Sequence, residues 1–246
     1  LSQIAQQKGQ VEQANQWLAQ IPASVDPIRL GSRRAELLAQ QGRLDEARLV
    51  LSQIKTTTPE QSRRKALLLS QWLREHKQTA AAHEVVKEAL GQHPDSQELL
   101  TELSLITEKL QRYDEMESVL RGLMKAYPQD PHAYNALGYS LADRKIRLEE
   151  ARQLIAKAVQ LAPEDPYIQD SLGWVEFRMG RLQEALQILQ AAYKAKPDAE
   201  IAAHLGEVLW TLGQQQQAGT LWREGLLLKP DNETLLETMK RLGFKP

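Results

Sequence analysis

The sequence predicts an all-α protein built as a stack of antiparallel helix pairs. Three observations carry that prediction. Pro59, Pro94, Pro128, Pro163, Pro197 and Pro230 are 35, 34, 35, 34 and 33 residues apart. Ala47, Ala82, Ala151, Ala185 and Ala218 each precede one of those prolines by 12 residues, with Met116 in the remaining place. Two glycine sets keep the same period: Gly138, Gly173 and Gly206, and Gly9, Gly42, Gly180 and Gly213. A repeat of about 34 residues is the length of one helix–turn–helix unit.

Each landmark has a physical reason. Gln169, Leu172, Gly173 and Glu176 follow the i, i+3, i+4, i+7 spacing of one helix face, with Glu176 a polar break where the sister repeat has Leu209. Gly173 has no side chain, so a neighbouring helix can come close. That benefit has to offset a helix-propensity penalty of about 1 kcal/mol. Gly180 suits the left-handed residue that ends many helices. Ala185, Leu189 and Ala192 give the second stripe, and Pro197 stops the second helix. Asp130-Pro131 and Asp165-Pro166 place an N-cap before a first-turn proline and open the next repeats. Six complete repeats result: 28–62, 63–96, 97–130, 131–165, 166–198 and 199–232. Residues 1–27 read as a truncated repeat with Gly9, Ala14 and Leu18 in register. Residues 233–246 read as a C-terminal cap, a helix from Glu233 to Leu242 with Leu236 and Met239 at repeat positions. The repeat at 131–165 has one extra residue near Lys145-Ile146, in the turn between its helices. The array is expected to be one domain over 1–246, and its first residues read as the middle of a helix from a longer chain.

Leu-Gly in the first helix (A), Ala early in the second (B) and Pro at the close resemble the tetratricopeptide repeat, over essentially the whole chain. The repeats at 131–232 match best; Ala35 and Ser104 replace glycine in 28–62 and 97–130. The resemblance implies a right-handed superhelix whose A helices line a concave groove that binds proteins. The wording of Ala136-Leu137-Gly138-Tyr139-Ser140-Leu141-Ala142-Asp143-Arg144, Asp170-Ser171-Leu172-Gly173-Trp174 and Ala202-Ala203-His204-Leu205-Gly206-Glu207-Val208-Leu209-Trp210 is similar to proteobacterial envelope lipoproteins made of these repeats. One such kind is an adaptor that delivers substrates to a periplasmic carboxy-terminal processing protease. That resemblance implies a lipidated N-terminus upstream and a place on the periplasmic side of the outer membrane.

Composition narrows the function. The 246 residues carry 31 basic and 32 acidic side chains, a net charge of −1, and no Cys. A thiol nucleophile and Cys-based zinc sites are excluded. Residues 1–96 carry a net +3 and the remainder −4, too weak a bias for a nucleic-acid face. No run of 18 apolar residues is present to span a bilayer. His76, His83, His93, His132 and His204 form no His-Glu-x-x-His, and read as surface or packing histidines. Glu149-Glu150 opens a B helix, where carboxylates favour the helix dipole. No phosphate loop and no nucleophile elbow appear. The expectation is a non-catalytic protein without cofactor or metal.

By the resemblance, the second, fifth, ninth, twelfth and thirteenth residues of a repeat face the groove. These are Asn135 and Tyr139, then Tyr167, Asp170, Trp174, Phe177 and Arg178, then Glu200, Ala203, Glu207 and Trp210. Aromatic residues are only 5% of the chain, so their gathering here points to a site for an extended peptide or a partner helix. Packing between adjacent A helices is the competing role for Trp174, Trp210 and Tyr139, and Trp222 takes a helix-B core position. Ser32, Leu67 and Thr101 at the fifth position do not supply the family's carboxylate clamp. The function expected is a scaffold or adaptor for an envelope protease or its substrates. The alternatives are a structural component of envelope assembly or polysaccharide secretion, and a cytoplasmic regulatory subunit of an enzyme.

Overall fold

The computed structural model describes residues 11–21 and 26–245. Among them are fourteen helices and no strand. In chain order they are α1 (Val11–Ala19), α2 (Pro27–Gln40), α3 (Leu44–Ser52), α4 (Pro59–Glu75), α5 (Thr79–Gln92), α6 (Gln97–Lys109), α7 (Tyr113–Ala126), α8 (Pro131–Asp143), α9 (Leu148–Leu161), α10 (Pro166–Arg178), α11 (Leu182–Ala195), α12 (Ala199–Thr211), α13 (Gln215–Leu228) and α14 (Glu233–Arg241). This is the all-α stack of helix pairs that the period predicts. Gly9 lies outside the described residues, whereas Ala14 and Leu18 are buried. The helices fall into two compact units, an N-terminal one over Leu1–Val119 and a C-terminal one over Leu120–Pro246.

In the N-terminal unit the core runs through Leu37, Leu51, Leu73, Val86, Leu99 and Ile106, all buried. The capping chemistry is local: Asp26 accepts from Arg29 N–H, Thr58 from Gln61 N–H and Ser96 from Leu99 N–H. One landmark changes meaning here. Pro59 was expected to close a B helix, yet it is the first residue of α4, because Thr58 caps that helix and a first-turn proline has no N–H to lose. The helix α3 has already ended at Ser52. Trp72 is buried and stacks on His76, with centroids 4.0 Å apart. The carboxylate of Glu102 is buried too, and it accepts from Ser70 at 2.6 Å and from Arg74 at 2.9 Å.

In the C-terminal unit every B-helix landmark alanine, Ala151, Ala185 and Ala218, is fully buried. A Cβ added at Gly138 would stand 2.6 Å from Ile155 Cγ1, and at Gly173 2.5 Å from Leu189 Cγ. At Gly206 it would overlap the indole of Trp222. The glycines therefore admit a B-helix side chain against the A-helix backbone. Gly180 and Gly213 end their helices at φ +83° and +82°. Lys77, Gln111 and Lys145 take the same left-handed turn position without glycine, at φ 60°, 57° and 55°, and the longer turn between α8 and α9 adds Arg147 at φ 48°.

Glu176, the polar break in its stripe, is wholly buried. Arg152 donates to it at 2.6 Å from one side and Arg181 at 2.6 Å from the other. Two cations satisfy a carboxylate that would otherwise be costly to desolvate. At the end of the chain, α14 spans Glu233–Arg241 and buries Leu235, Thr238 and Met239. Leu236, expected at a repeat position, is 43% exposed, because the helix turns Leu235 and its i+3 and i+4 neighbours inward. Phe244 packs beside it, with its ring 5.2 Å from that of Trp222 and 6.2 Å from that of Trp210.

Candidate functional site

Successive A helices of the C-terminal unit pack on one another, α8 on α10 and α10 on α12. Asp170, Trp174, Phe177 and Arg178 are spaced four, three and one apart on α10, so they share one face. Asp165 holds the start of that helix by accepting from the N–H groups of Tyr167 and Ile168. Asn135 and Tyr139 are four apart on α8, as are Glu200 and His204 on α12.

The centre of the face is His204, a fully buried imidazole. Its Nδ1 lies 2.8 Å from Oδ2 and 3.0 Å from Oδ1 of Asp170. Its Nε2 lies 3.3 Å from the hydroxyl of Tyr139, which is also 3.4 Å from Oε1 of Glu200. One face of the imidazole stacks on Trp174, with centroids 4.1 Å apart. The indole N–H of Trp174 donates to Asp143 at 3.3 Å. Beyond the indole, the guanidinium of Arg178 sits 4.1 Å above the ring and donates to Asp143 at 3.1 Å. Phe177 stacks on the same indole at 5.2 Å. A continuous line of contacts therefore joins three A helices, from Asp143 through Arg178, Trp174 and His204 to Asp170, Tyr139 and Glu200.

Electrostatics follow from this burial. Desolvation pushes the His204 imidazolium down, but the charge and hydrogen bond of Asp170, with Glu200 and Asp143 behind, outweigh it and raise its pKa above the ordinary histidine value. Burial lifts the carboxyl of Glu200 above its ordinary range; Asp170 and Asp198 add to that, against His204 and Tyr139. The Tyr139–His204–Asp170 order matches that of a nucleophile–base–orienter set, but the imidazole has no surface with which to meet a substrate. What it can do is hold or release a proton inside the fold. Among the described residues no group of three or more His, Asp or Glu could hold a metal ion.

The predicted site residues divide by burial. Trp174 is 2% exposed, and Asp170 and Glu207 are also buried. Asn135, Tyr139, Phe177, Arg178 and Trp210 are half-buried, and Tyr167 is exposed with Lys196 Nζ 4.7 Å above its ring. Tyr139, Asp170, Trp174, Phe177 and Arg178 join in the His204 group. Glu207 instead accepts from Arg241 of α14 at 2.5 Å, and Trp210 stacks on Trp222 at 5.4 Å. Asn135 carries a buried side-chain oxygen with no hydrogen-bond partner, as does the Nε of Arg178 for its N–H. His204, read from the sequence as a surface or packing histidine, is a packed one, but neither it nor Asp143 was placed in this group. The available signal was spacing: Asp170 and His204 are 34 residues apart, one period, on adjacent A helices.

Comparison with known proteins agrees with this architecture. Two models of the tetratricopeptide repeat match, one at residues 73–138 and the other at 117–166 and 171–232, together more than half the chain. The TPR repeat-containing protein PA4667 of Pseudomonas aeruginosa is 38% identical over 207 residues, 84% of this chain and 35% of that protein. The chain thus spans about a third of that relative's length. The chloroplastic PsbB mRNA maturation factor Mbb1 of Chlamydomonas reinhardtii is 35% identical over 88 residues, 35% of this chain and 13% of that one. In structure, a tetratricopeptide repeat protein from Parabacteroides merdae is similar at a TM-score of 0.76 and 17% identity, over 98% of this chain and 96% of that one. A thermophilic TPR protein from Thermus thermophilus matches 73% of this chain and 96% of that one at a TM-score of 0.64 and 22% identity. At these identities the structural likenesses speak for the fold alone. No helix among the described residues is long and apolar enough to cross a membrane.

Proposed function

The chain belongs to the tetratricopeptide repeat family, and on that footing we propose that it is a non-catalytic adaptor that captures a protein segment on the A-helix face of its C-terminal unit. The observation that carries this reading is the line of half-buried and exposed groups on α8, α10 and α12, where Tyr139, Tyr167, Phe177 and Trp210 offer ring surface beside Asn135, Arg178 and Glu200. Rings of this kind supply contact area at low entropic cost, and flanking polar groups set register. Trp174 acts beneath that surface, as a wall that fixes Arg178 and His204.

The partner in this reading is an envelope protease or its substrates, and the protein sits as a lipoprotein on the periplasmic side of the outer membrane. Its support is the similarity of the α8, α10 and α12 segments to such lipoproteins, together with 38% identity to a protein of a proteobacterium, Pseudomonas aeruginosa. The experiment is site-specific photo-crosslinking in the protein's own cells. A photoreactive residue at Tyr167 should trap the partner, and one at Gln153, exposed on α9, should not. Crosslinks confined to Gln153 would refute the face, and a trapped partner without an envelope address would refute the compartment.

A further inference from the structure

The hydroxyl of Tyr139 stands within reach of two groups, His204 Nε2 at 3.3 Å and Glu200 Oε1 at 3.4 Å, and it has one proton to give. Which of them receives it depends on His204. Asp170, when ionised, only accepts, so the proton on Nδ1 stays whatever the charge of the ring. With His204 charged, Nε2–H donates to the Tyr139 oxygen, and the hydroxyl proton is left for Glu200. With His204 neutral, Nε2 is a bare acceptor, the proton it carried having gone to water. The hydroxyl then turns to the ring, and Glu200 loses both its donor and the neighbouring cation.

We propose that Tyr139, His204 and Glu200 form a proton-operated switch on the A-helix face: a charged His204 commits the Tyr139 hydroxyl to Glu200, and a neutral His204 takes that hydroxyl and frees Glu200. The surroundings are consistent with a single switching group. From α10 the imidazole meets Asp170, and Arg178 lies behind Trp174; from α8 it meets Tyr139, with Asp143 further out; on α12 itself it meets Glu200. The other helices packed on α12 use their charges elsewhere. Tyr193 of α11 faces Glu224 of α13, and Arg241 of α14 faces Glu207. The raised pKa of His204 puts the change on the alkaline side of the ordinary histidine value, and the raised pKa of Glu200 fits a carboxyl that its site keeps short of charge stabilisation.

The consequence for a partner rests on the reading given above, since Glu200 lies on the same face; the switch itself can be tested on the free chain. The experiment is an NMR titration of the whole chain, following the ring nitrogens of His204, Cζ of Tyr139 and the carboxyl carbon of Glu200. Tyr139 and Glu200 should both shift at the midpoint of the His204 titration. In Tyr139→Phe, His204 should still titrate while the Glu200 step at that midpoint shrinks. A Tyr139 resonance that stays flat through the His204 midpoint overturns the switch. So does an undiminished Glu200 step in Tyr139→Phe, or a His204 that never changes charge while the fold persists. If Tyr139→Phe loses its helicity, the Tyr139 titration in the unaltered chain decides alone. None of these outcomes depends on a partner, so a failure of the switch and a failure of the capture reading are distinguishable.

Discussion

The two units answer one packing question differently. The eighth residue of each repeat lies on its A helix. In the C-terminal unit it is Gly138, Gly173 or Gly206, and the space is taken by Ile155, Leu189 or Trp222 reaching across. In the N-terminal unit the same position holds Ala35, Ser70 or Ser104, all buried. There the A helix fills its own slot, and the hydroxyls need partners: Ser70 donates to Glu102 at 2.6 Å and Ser104 to the carbonyl of Thr101 at 2.7 Å. The residues corresponding to Trp222 in the first two repeats are smaller, Leu51 and Val86. A fixed period therefore tolerates either solution.

The histidine–carboxylate pairs differ in the same spirit. His83 in the N-terminal unit lies 3.1 Å from Glu115, whose carboxylate keeps Lys87 at 3.3 Å and some solvent. His204 and Asp170 are sealed between aromatic rings. The first pair joins a buried imidazole to a carboxylate that reaches solvent, and the second is an internal element of the A-helix face.

The sharpest way to break the comparison is to remove the largest insert. Trp222→Ala should cost about 3–5 kcal/mol in denaturant unfolding, as a buried indole leaves a cavity. A loss below about 1 kcal/mol would mean that Trp222 is not the wedge that Gly206 accommodates. Next in size is the slot itself. Gly206→Ala should cost about 1–3 kcal/mol through overpacking against Trp222. Ala35→Gly, the reverse change in the N-terminal unit, should cost about 1 kcal/mol through helix propensity alone. Gly206→Ala placed on Trp222→Ala should lose its penalty, and additivity of the two would refute the close contact.

The smallest effect expected is that of pH, and it has opposite signs in the two units. The folded pKa values of His204 and Glu200 are raised, so their contribution is present at low pH. It is lost as pH rises from the ordinary glutamate value of about 4.3 to beyond the ordinary histidine value of about 6.5. Glu115 behaves in reverse: burial pushes its carboxyl up, but hydrogen bonds from His83 and Lys87 outweigh that and hold it below its ordinary value. Its contribution is present above the ordinary carboxylate range and lost as pH falls through it. Hydrogen-exchange protection, corrected for intrinsic rates, should on acidification rise around α12 and fall around α7. A common sign in both units would break this part of the comparison.

Much of the fold could be read from residue types, because each landmark does a local job. Gly180 suits a positive φ, Asp165 accepts from two orphan N–H groups, and Ala185 lacks bulk, whatever lies elsewhere in the chain. Pro59 shows the limit of that reading. A proline is compatible with both the end of one helix and the first turn of the next, and Thr58 before it was the better guide. Leu236 shows another, since α14 turns Leu235 and Met239 inward and Phe244 packs against Trp222 beside them.

The candidate site was only half readable. The family resemblance put Asp170, Trp174 and Arg178 on one face, but a repeat position is blind to depth. Trp174 became a wall and Asp170 a buried counter-charge because His204 arrived from the next helix to cover them. Glu176, a polar break along the chain, became a satisfied core carboxylate because Arg152 and Arg181 converge on it from α9 and from the turn before α11.

Sequence by itself determined the period, the helix-pair architecture and the small residues at which helices meet, since these depend on backbone preferences within a few residues. Tertiary structure alone decided which polar groups are buried, which ring shields which charge, and that a histidine one period from an aspartate is its partner. Those outcomes depend on distances between groups far apart in the chain, which set the cost of desolvation and the strength of each charge pair.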